Sequence, residues 1–218
     1  MMIELLFFVV AVIILTRAIR DLQRPVAAKA VTHSQKSPQL AHFETYANRL
    51  YGERQYLAAE KAYLKVLKLN HKDQHAYNRL GMIYVALKNY PDAIECFQIA
   101  AQLKPSAAGW YNLGLAYFEN DNAIKAISAI EKSIMFEPTA ARFVTLARAY
   151  TKVSNSSKAI SALERASDLE SSKKTLSLLA EAYTKNHDRE KAVETYQRIL
   201  EIDPTDAKAK RLAGTTVS

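Results

Sequence analysis

The sequence predicts an all-α protein, a solenoid of stacked helix pairs, and three observations predict it. The first is an alanine on a fixed beat: Ala59, Ala93, Ala126, Ala159 and Ala192 lie 34, 33, 33 and 33 residues apart. A period of this length marks a repeated two-helix unit that buries its apolar face only against its neighbours. The second is a pattern locked to that beat. Twelve residues before each alanine stands a small residue (Ala47, Gly81, Gly114, Ala147, Ala180) and nine before it a large one (Leu50, Tyr84, Tyr117, Tyr150, Tyr183); four after it comes Tyr63, Phe97, Ile130, Leu163 or Tyr196. Small residues let two helices approach closely, and bulky ones a turn away fill the space beside the contact. The third is punctuation. Pro105, Pro138 and Pro204 fall where second helices must end, because the residue before a proline avoids helical angles, and no segment alternates polar and apolar residues as a hairpin strand does.

Residues 1–24 read as a membrane anchor with a basic flank. Leu5 to Leu15 is an unbroken apolar run of eleven residues, worth about −3 to −7 kcal/mol for insertion at about −0.3 to −0.6 kcal/mol each. With Met1 to Ile3 and Thr16 to Ile19 it reaches the roughly 20 residues of a transmembrane helix, Glu4 and Arg17 snorkelling to the two interfaces. A cleaved signal peptide would start basic, and Ala28-Lys29-Ala30 lies too far beyond Leu15 to be its cleavage site. A helix docked on the array would be amphipathic, whereas this run is apolar all round. Arg17, Arg20, Arg24, Lys29 and Lys36 follow the run and no lysine or arginine precedes it, so the rule for basic flanks puts the array on the cytoplasmic side. Ile19 and Leu22 share one face of a short helix with Arg17, Arg20 and Arg24 largely turned away, which suits either anionic headgroups or a plain stop-transfer flank. Membrane lipid is therefore one expected partner. Residues 25–39, rich in Pro, Ser, Ala, Gln and Lys, read as a flexible linker.

Residues 40–206 hold the five repeats. In the second, a first helix is expected over about residues 75–87, ending at Lys88-Asn89-Tyr90, with Pro91-Asp92 opening the next, where a proline's missing N–H costs least. Residues 207–218 read as a capping helix and tail: Ala209, Leu212 and Ala213 continue the register of a sixth first helix that stops at Gly214, solvated by Lys208, Lys210 and Arg211.

The pattern resembles the tetratricopeptide repeat family. Trp110, Leu113, Gly114, Tyr117, Ala126, Ile130 and Pro138 follow the family's sequence of aromatic, Leu-Gly, Tyr, Ala, aromatic and Pro, with isoleucine for the second aromatic. Tyr77, Leu80, Gly81, Tyr84, Ala93, Phe97, Ala100 and Pro105 match it more closely. The first repeat departs at Ala47, Leu50 and His71, the fourth at Ser171. The resemblance implies a right-handed α-solenoid of five helix pairs whose first helices line a concave groove for a protein partner. Groove residues then follow each packing position: Asn48; Asn78 and Met82; Tyr111, Asn112, Leu115 and Phe118; Arg148 and Lys152, with Thr151, Glu181 and Lys185 further along. Apolar and aromatic anchors beside amides and a guanidinium suit an extended or helical peptide. In chaperone-binding members a lysine, asparagine and arginine clamp a terminal carboxylate. Asn48 matches one such position, but Glu44 stands where lysine is needed and would repel that ligand.

Chemistry beyond binding finds no residues to carry it. The five histidines form no metal-binding motif; His71 and His75 are four apart but straddle a junction between repeats, so no metal or cofactor is expected. Five glycines form no phosphate loop, and no catalytic set is visible. The net charge of +8 invites nucleic acid, yet three of those charges lie in residues 1–39 and the rest are interleaved with acids, so none is expected. Cys96 is the lone cysteine and supports no disulfide. The chain is therefore read as a non-enzymatic, membrane-tethered adaptor whose array binds a peptide or helix in a complex. Its ordering of anchor, basic flank and repeats resembles bacterial inner-membrane adaptors of envelope assembly, and similar layouts occur in organelle import receptors. The alternative is a self-assembling scaffold forming homo-oligomers at a membrane surface.

Overall fold

Residues 37–214 are described by the computed structural model, which contains eleven helices and no strand among them. The expected anchor, with Arg17, Arg20 and Arg24, and most of the linker lie outside the described residues, as do residues 215–218. Among the described residues no helix is long and apolar enough to cross a membrane.

Five helix pairs follow in order: α1 Pro38–Gly52 with α2 Tyr56–Leu69, α3 Gln74–Ala86 with α4 Tyr90–Leu103, α5 Ala107–Glu119 with α6 Ala123–Phe136, α7 Ala140–Lys152 with α8 Ser156–Leu169, and α9 Lys173–Lys185 with α10 Arg189–Ile202. The short α11, Ala207–Ala213, follows α10, with Ala209 buried. From His42 onward the chain is one unit.

From α3 onward the starts of the first helices are specified locally. Asp73, Ser106, Thr139, Ser172 and Asp206 precede the first helices from α3 to α11, and each side chain accepts the N–H three residues on. Such a cap is worth about 1 kcal/mol. The turn inside each repeat is also built alike. Arg54, Lys88, Asp121, Ser154 and His187 all take a left-handed backbone, φ 57 to 61°. The N–H of the following residue (Gln55, Asn89, Asn122, Asn155, Asp188) donates to the carbonyl five residues back at 2.8–3.0 Å. This is a Schellman closure in every repeat. Asn122, Asn155 and Asp188 then turn their side chains to cap the next helix, so one residue ends one helix and starts another.

The in-register packing pattern is realised as the spacing predicts. All five periodic alanines are buried. A Cβ added to Gly81 would sit 2.7 Å from the Phe97 ring, and one on Gly114 would sit 2.6 Å from Ile130 Cγ1. These glycines are therefore where the two helices of a repeat touch most closely. Ala47, Ala147 and Ala180, at the same position in the other repeats, are buried. One core of buried side chains runs without interruption from Ala93 to Ala209.

The tyrosines read as core divide by atom. The rings of Tyr117, Tyr150 and Tyr183 are buried, and Tyr84 is half-buried. Their hydroxyls, however, stitch each repeat to the one before it. Tyr150 donates to Glu131 and Tyr183 to Glu164, both at 2.6 Å; Tyr84 donates to Glu60 at 3.0 Å, and Gln98 donates to Tyr117 at 2.6 Å. Burial first, and then the hydrogen-bonded carboxylate, pushes Tyr150 up to about 12 and raises Tyr84 and Tyr183 well above the ordinary tyrosine value. Lys125, Lys158 and Lys191 lie 5.4–5.7 Å from the ring centres of Tyr117, Tyr150 and Tyr183.

Candidate functional site

The face expected to bind is carried by the first helices, and three clusters bring its residues together. Between α1 and α3 the Arg79 guanidinium lies 4.8 Å over the Tyr51 ring, and the Tyr51 hydroxyl approaches Met82 Sδ at 3.8 Å. Between α5 and α7 the Tyr111 hydroxyl shares a 2.9 Å hydrogen bond with Thr145 Oγ1, and Arg142 lies 5.9 Å over the same ring. Further along these helices Phe118 sits beneath two cations, Arg148 at 5.1 Å and Lys152 at 4.7 Å.

Around Phe118 opens a cavity of about 420 Å³. Its floor is apolar: Val144 and Ala147 of α7, Leu178 and Ala182 of α9, and Ile160 and Leu163 of α8. Its rim carries Arg148, Lys152, Lys185 and Glu181. Two of these charges are answered within the chain. Lys152 Nζ pairs with Asp121 at 2.5 Å and donates to the Phe118 carbonyl at 3.2 Å. Glu181 is ion-paired with Lys208 of the capping helix. Arg148 and Lys185 have no carboxylate partner among the described residues.

The remaining expected residues fall less uniformly. Met82 is exposed, while Tyr111, Asn112, Leu115 and Phe118 are half-buried. Asn48 is exposed, but its Oδ1 already accepts from Tyr63 at 2.7 Å. Asn78 Oδ1 is buried without a hydrogen-bond partner. Tyr111 is half-buried with its hydroxyl engaged, so part of its role is to join repeat three to repeat four. Sequence reasoning missed Leu178 and Ala182 of the first helix α9 and Ile160 of α8, and it placed Ala159 and Leu163 in the packing pattern alone, because all three α8 residues belong to a second helix. The signal was present: Ile160 follows the periodic Ala159 on the apolar stripe of α8, whose Ala159, Ala162, Leu163 and Ala166 all turn inward.

Among the described residues no group of three or more His, Cys, Asp or Glu side chains converges as a metal site. Cys96 is half-buried, and burial, with nearby Glu95, pushes its thiol up to about 12, so it is not a thiolate near neutral pH.

Known proteins place this architecture. Profiles of the tetratricopeptide repeat match residues 75–106, 107–139 and 154–214, together more than half of the chain. No curated protein sequence matches the chain. Among solved structures, MamA is similar at 26% identity and TM-score 0.71, over 78% of this chain and 94% of that one. MamA of Desulfovibrio magneticus RS-1 is similar at 18% identity and TM-score 0.71, over 79% and 99%. YrrB, described as a repeat protein with an unusual peptide-binding site, is similar at 18% identity and TM-score 0.66, over 78% and 90%. The last two likenesses concern the fold alone. With its alanine beat, its repeated Schellman turns and three matching profiles, the chain belongs to the tetratricopeptide repeat family.

Proposed function

We propose that this protein is a non-enzymatic adaptor that holds a peptide or helix of a partner protein against its first helices, while residues 1–24 tether it to the cytoplasmic face of a membrane. The observation that carries the reading is the cavity around Phe118, whose apolar floor and polar rim match what peptide recognition needs. The peptide-binding site named for YrrB supports it by analogy of fold. The eleven-residue apolar run and its one-sided basic flank support the tether, and an envelope-assembly complex is the setting its layout suits.

A photo-crosslinking residue at Leu115 or Thr151 is expected to capture the partner. The same residue at Ile124 or Met135, exposed on the second helix α6, is expected to capture far less. Equal capture from both sets of positions refutes the assignment of this face. Protease treatment of sealed inner-membrane vesicles tests the tether: digestion from the cytoplasmic side only is expected, and protection there reverses the topology.

A second reading, self-assembly into homo-oligomers, has its own observation. Leu69, Leu103, Phe136, Leu169 and Ile202, each the last residue of a second helix, form a periodic row of exposed apolar side chains. Exposed apolar rows of this kind serve as contact surfaces. Light scattering of the purified chain at micromolar concentration decides it, a monomer counting against self-assembly.

A further inference from the structure

We propose that the segment this face accepts is acidic, with one large apolar side chain seated in the cavity around Phe118 and carboxylates bound by Arg148 and Lys185. The inference rests on the groove reading above and adds the chemistry of the partner.

The argument starts from which rim charges remain available. Of the four charged groups on the rim, Lys152 and Glu181 are neutralised by Asp121 and Lys208. What is left is two cations with no acid to answer them. A basic segment would meet repulsion from Arg148 and Lys185, whereas an acidic one completes the charge balance. Arg148 is also presented for this purpose. Its guanidinium lies 5.1 Å over the Phe118 ring with no carboxylate partner among the described residues, which leaves its N–H donors for a carboxylate, a group arginine binds in a forked, two-bond geometry. Lys185 stands at the end of α9, on the far side of the floor from α7, so the two cations bracket the apolar cavity. A segment that spans it therefore needs an apolar residue between acidic ones. The apolar floor argues for a polypeptide and against a nucleic-acid strand, whose phosphates would gain nothing from Ile160, Leu163 and Leu178.

The test is a selection from a displayed library of random peptides fused at their C-termini, so that no free terminal carboxylate is offered, against the detergent-solubilised full chain. Enriched peptides are expected to carry Asp or Glu on both sides of a Leu, Ile, Met, Phe or Trp. The R148E/K185E double variant, both positions being exposed, should fold normally and bind those peptides at least about tenfold more weakly. Ala182→Trp, which fills the cavity, should abolish them; if it perturbs folding by circular dichroism, raised salt supplies the second readout, since weakening with salt is expected of a rim-charge contact. Enrichment of neutral peptides that A182W removes leaves the groove reading intact and overturns the acidic one. No enrichment at all, with Leu115 and Ile124 crosslinking equally, overturns both. Acidic peptides that still bind A182W, single-stranded DNA retained as well as any peptide, or a wild-type oligomer that A182W breaks, would each seat a different occupant and overturn the proposal.

Discussion

Two surfaces of the array use the same kinds of residue to opposite ends. Along the seams between repeats, lysines lie over tyrosine rings whose hydroxyls bond to the repeat before: Glu131, Tyr150 and Lys158, then Glu164, Tyr183 and Lys191. Gln98, Tyr117 and Lys125 repeat the arrangement with an amide for the carboxylate. On the inner face the position of Arg148 is taken in the other repeats by Asn48, Met82, Leu115 and Glu181. The seam contacts that return every 33 residues are therefore consumed by the array's own packing, whereas Arg148, which breaks the period on the inner face, is left for something else. A repeat protein can be sorted this way because each unit must make the same contacts with its neighbours, while a binding surface has no such requirement.

The largest expected effect tests the packed side. Phe97→Ala removes a buried ring pressed against Gly81 and should lower unfolding free energy by about 3–5 kcal/mol. Leu115→Ala, half-buried on the inner face, should cost about 1 kcal/mol. Urea denaturation of the two variants gives both numbers, and comparable losses would erase the distinction between the surfaces.

Next come the seam hydrogen bonds. Tyr183→Phe leaves Glu164 without its donor and should cost about 1–2 kcal/mol, as for bonds to a charged group. Lys185→Glu, exposed on the inner face, should change stability by no more than about 0.5 kcal/mol. If the lysine change proves the more damaging, the inner-face cations are structural and the sorting by period fails.

The fold was legible because five copies of one pattern average out the departures of each. His71, Ser171, Leu50 and Ala47 all depart from the family pattern, yet their repeats form, and Ala59, Ala93, Ala126, Ala159 and Ala192 are buried in every copy. The site was legible only in part. Met82, Leu115, Phe118 and Arg148 were placed by register, but register says nothing about what a side chain meets. Asn48 is engaged by Tyr63, 15 residues away, Tyr111 by Thr145, 34 away, and Glu181 by Lys208, 27 away. Such pairings depend on rotamers and on the spacing between repeats, neither of which has a periodic signature. The floor supplied by α8 escaped for another reason: the inner face was assigned to first helices, and the gap between α7 and α9 exposes the helix behind them.

Alkaline pH separates the surfaces without mutation. Tyr63 and Tyr150 rise from the ordinary 10 to about 12, chiefly through burial. Their neutral forms are favoured in the folded state, so the stability they contribute is complete below pH 10 and is lost as pH climbs through about 12. Melting temperature should accordingly hold level to pH 10 and then fall. Tyr150→Phe should flatten that fall, while Arg148→Glu should leave its shape unchanged. A profile that the seam variant does not alter would show that these hydroxyls are not where alkali acts.

The smallest effect belongs to the turns, which apart from Asp121 serve neither surface and so should respond to backbone geometry alone. Arg54, Lys88, Asp121, Ser154 and His187 hold φ near 60°, a conformation that burdens a side chain with Cβ crowding and that glycine adopts freely. The exposed side chain of Lys88 gives nothing back, so Lys88→Gly should stabilise by about 0.5–1 kcal/mol after allowing for glycine's greater freedom when unfolded. Asp121 is a different case: aspartate tolerates this region better, and its carboxylate holds Lys152 at the rim of the cavity. Asp121→Gly should therefore gain less stability and release a third cation toward the inner face, tightening its hold on an acidic peptide. Equal stabilisation at the two turns, with peptide affinity unmoved at both, would mean that the rim and the turn are energetically separate and that Lys152 takes no part in recognition.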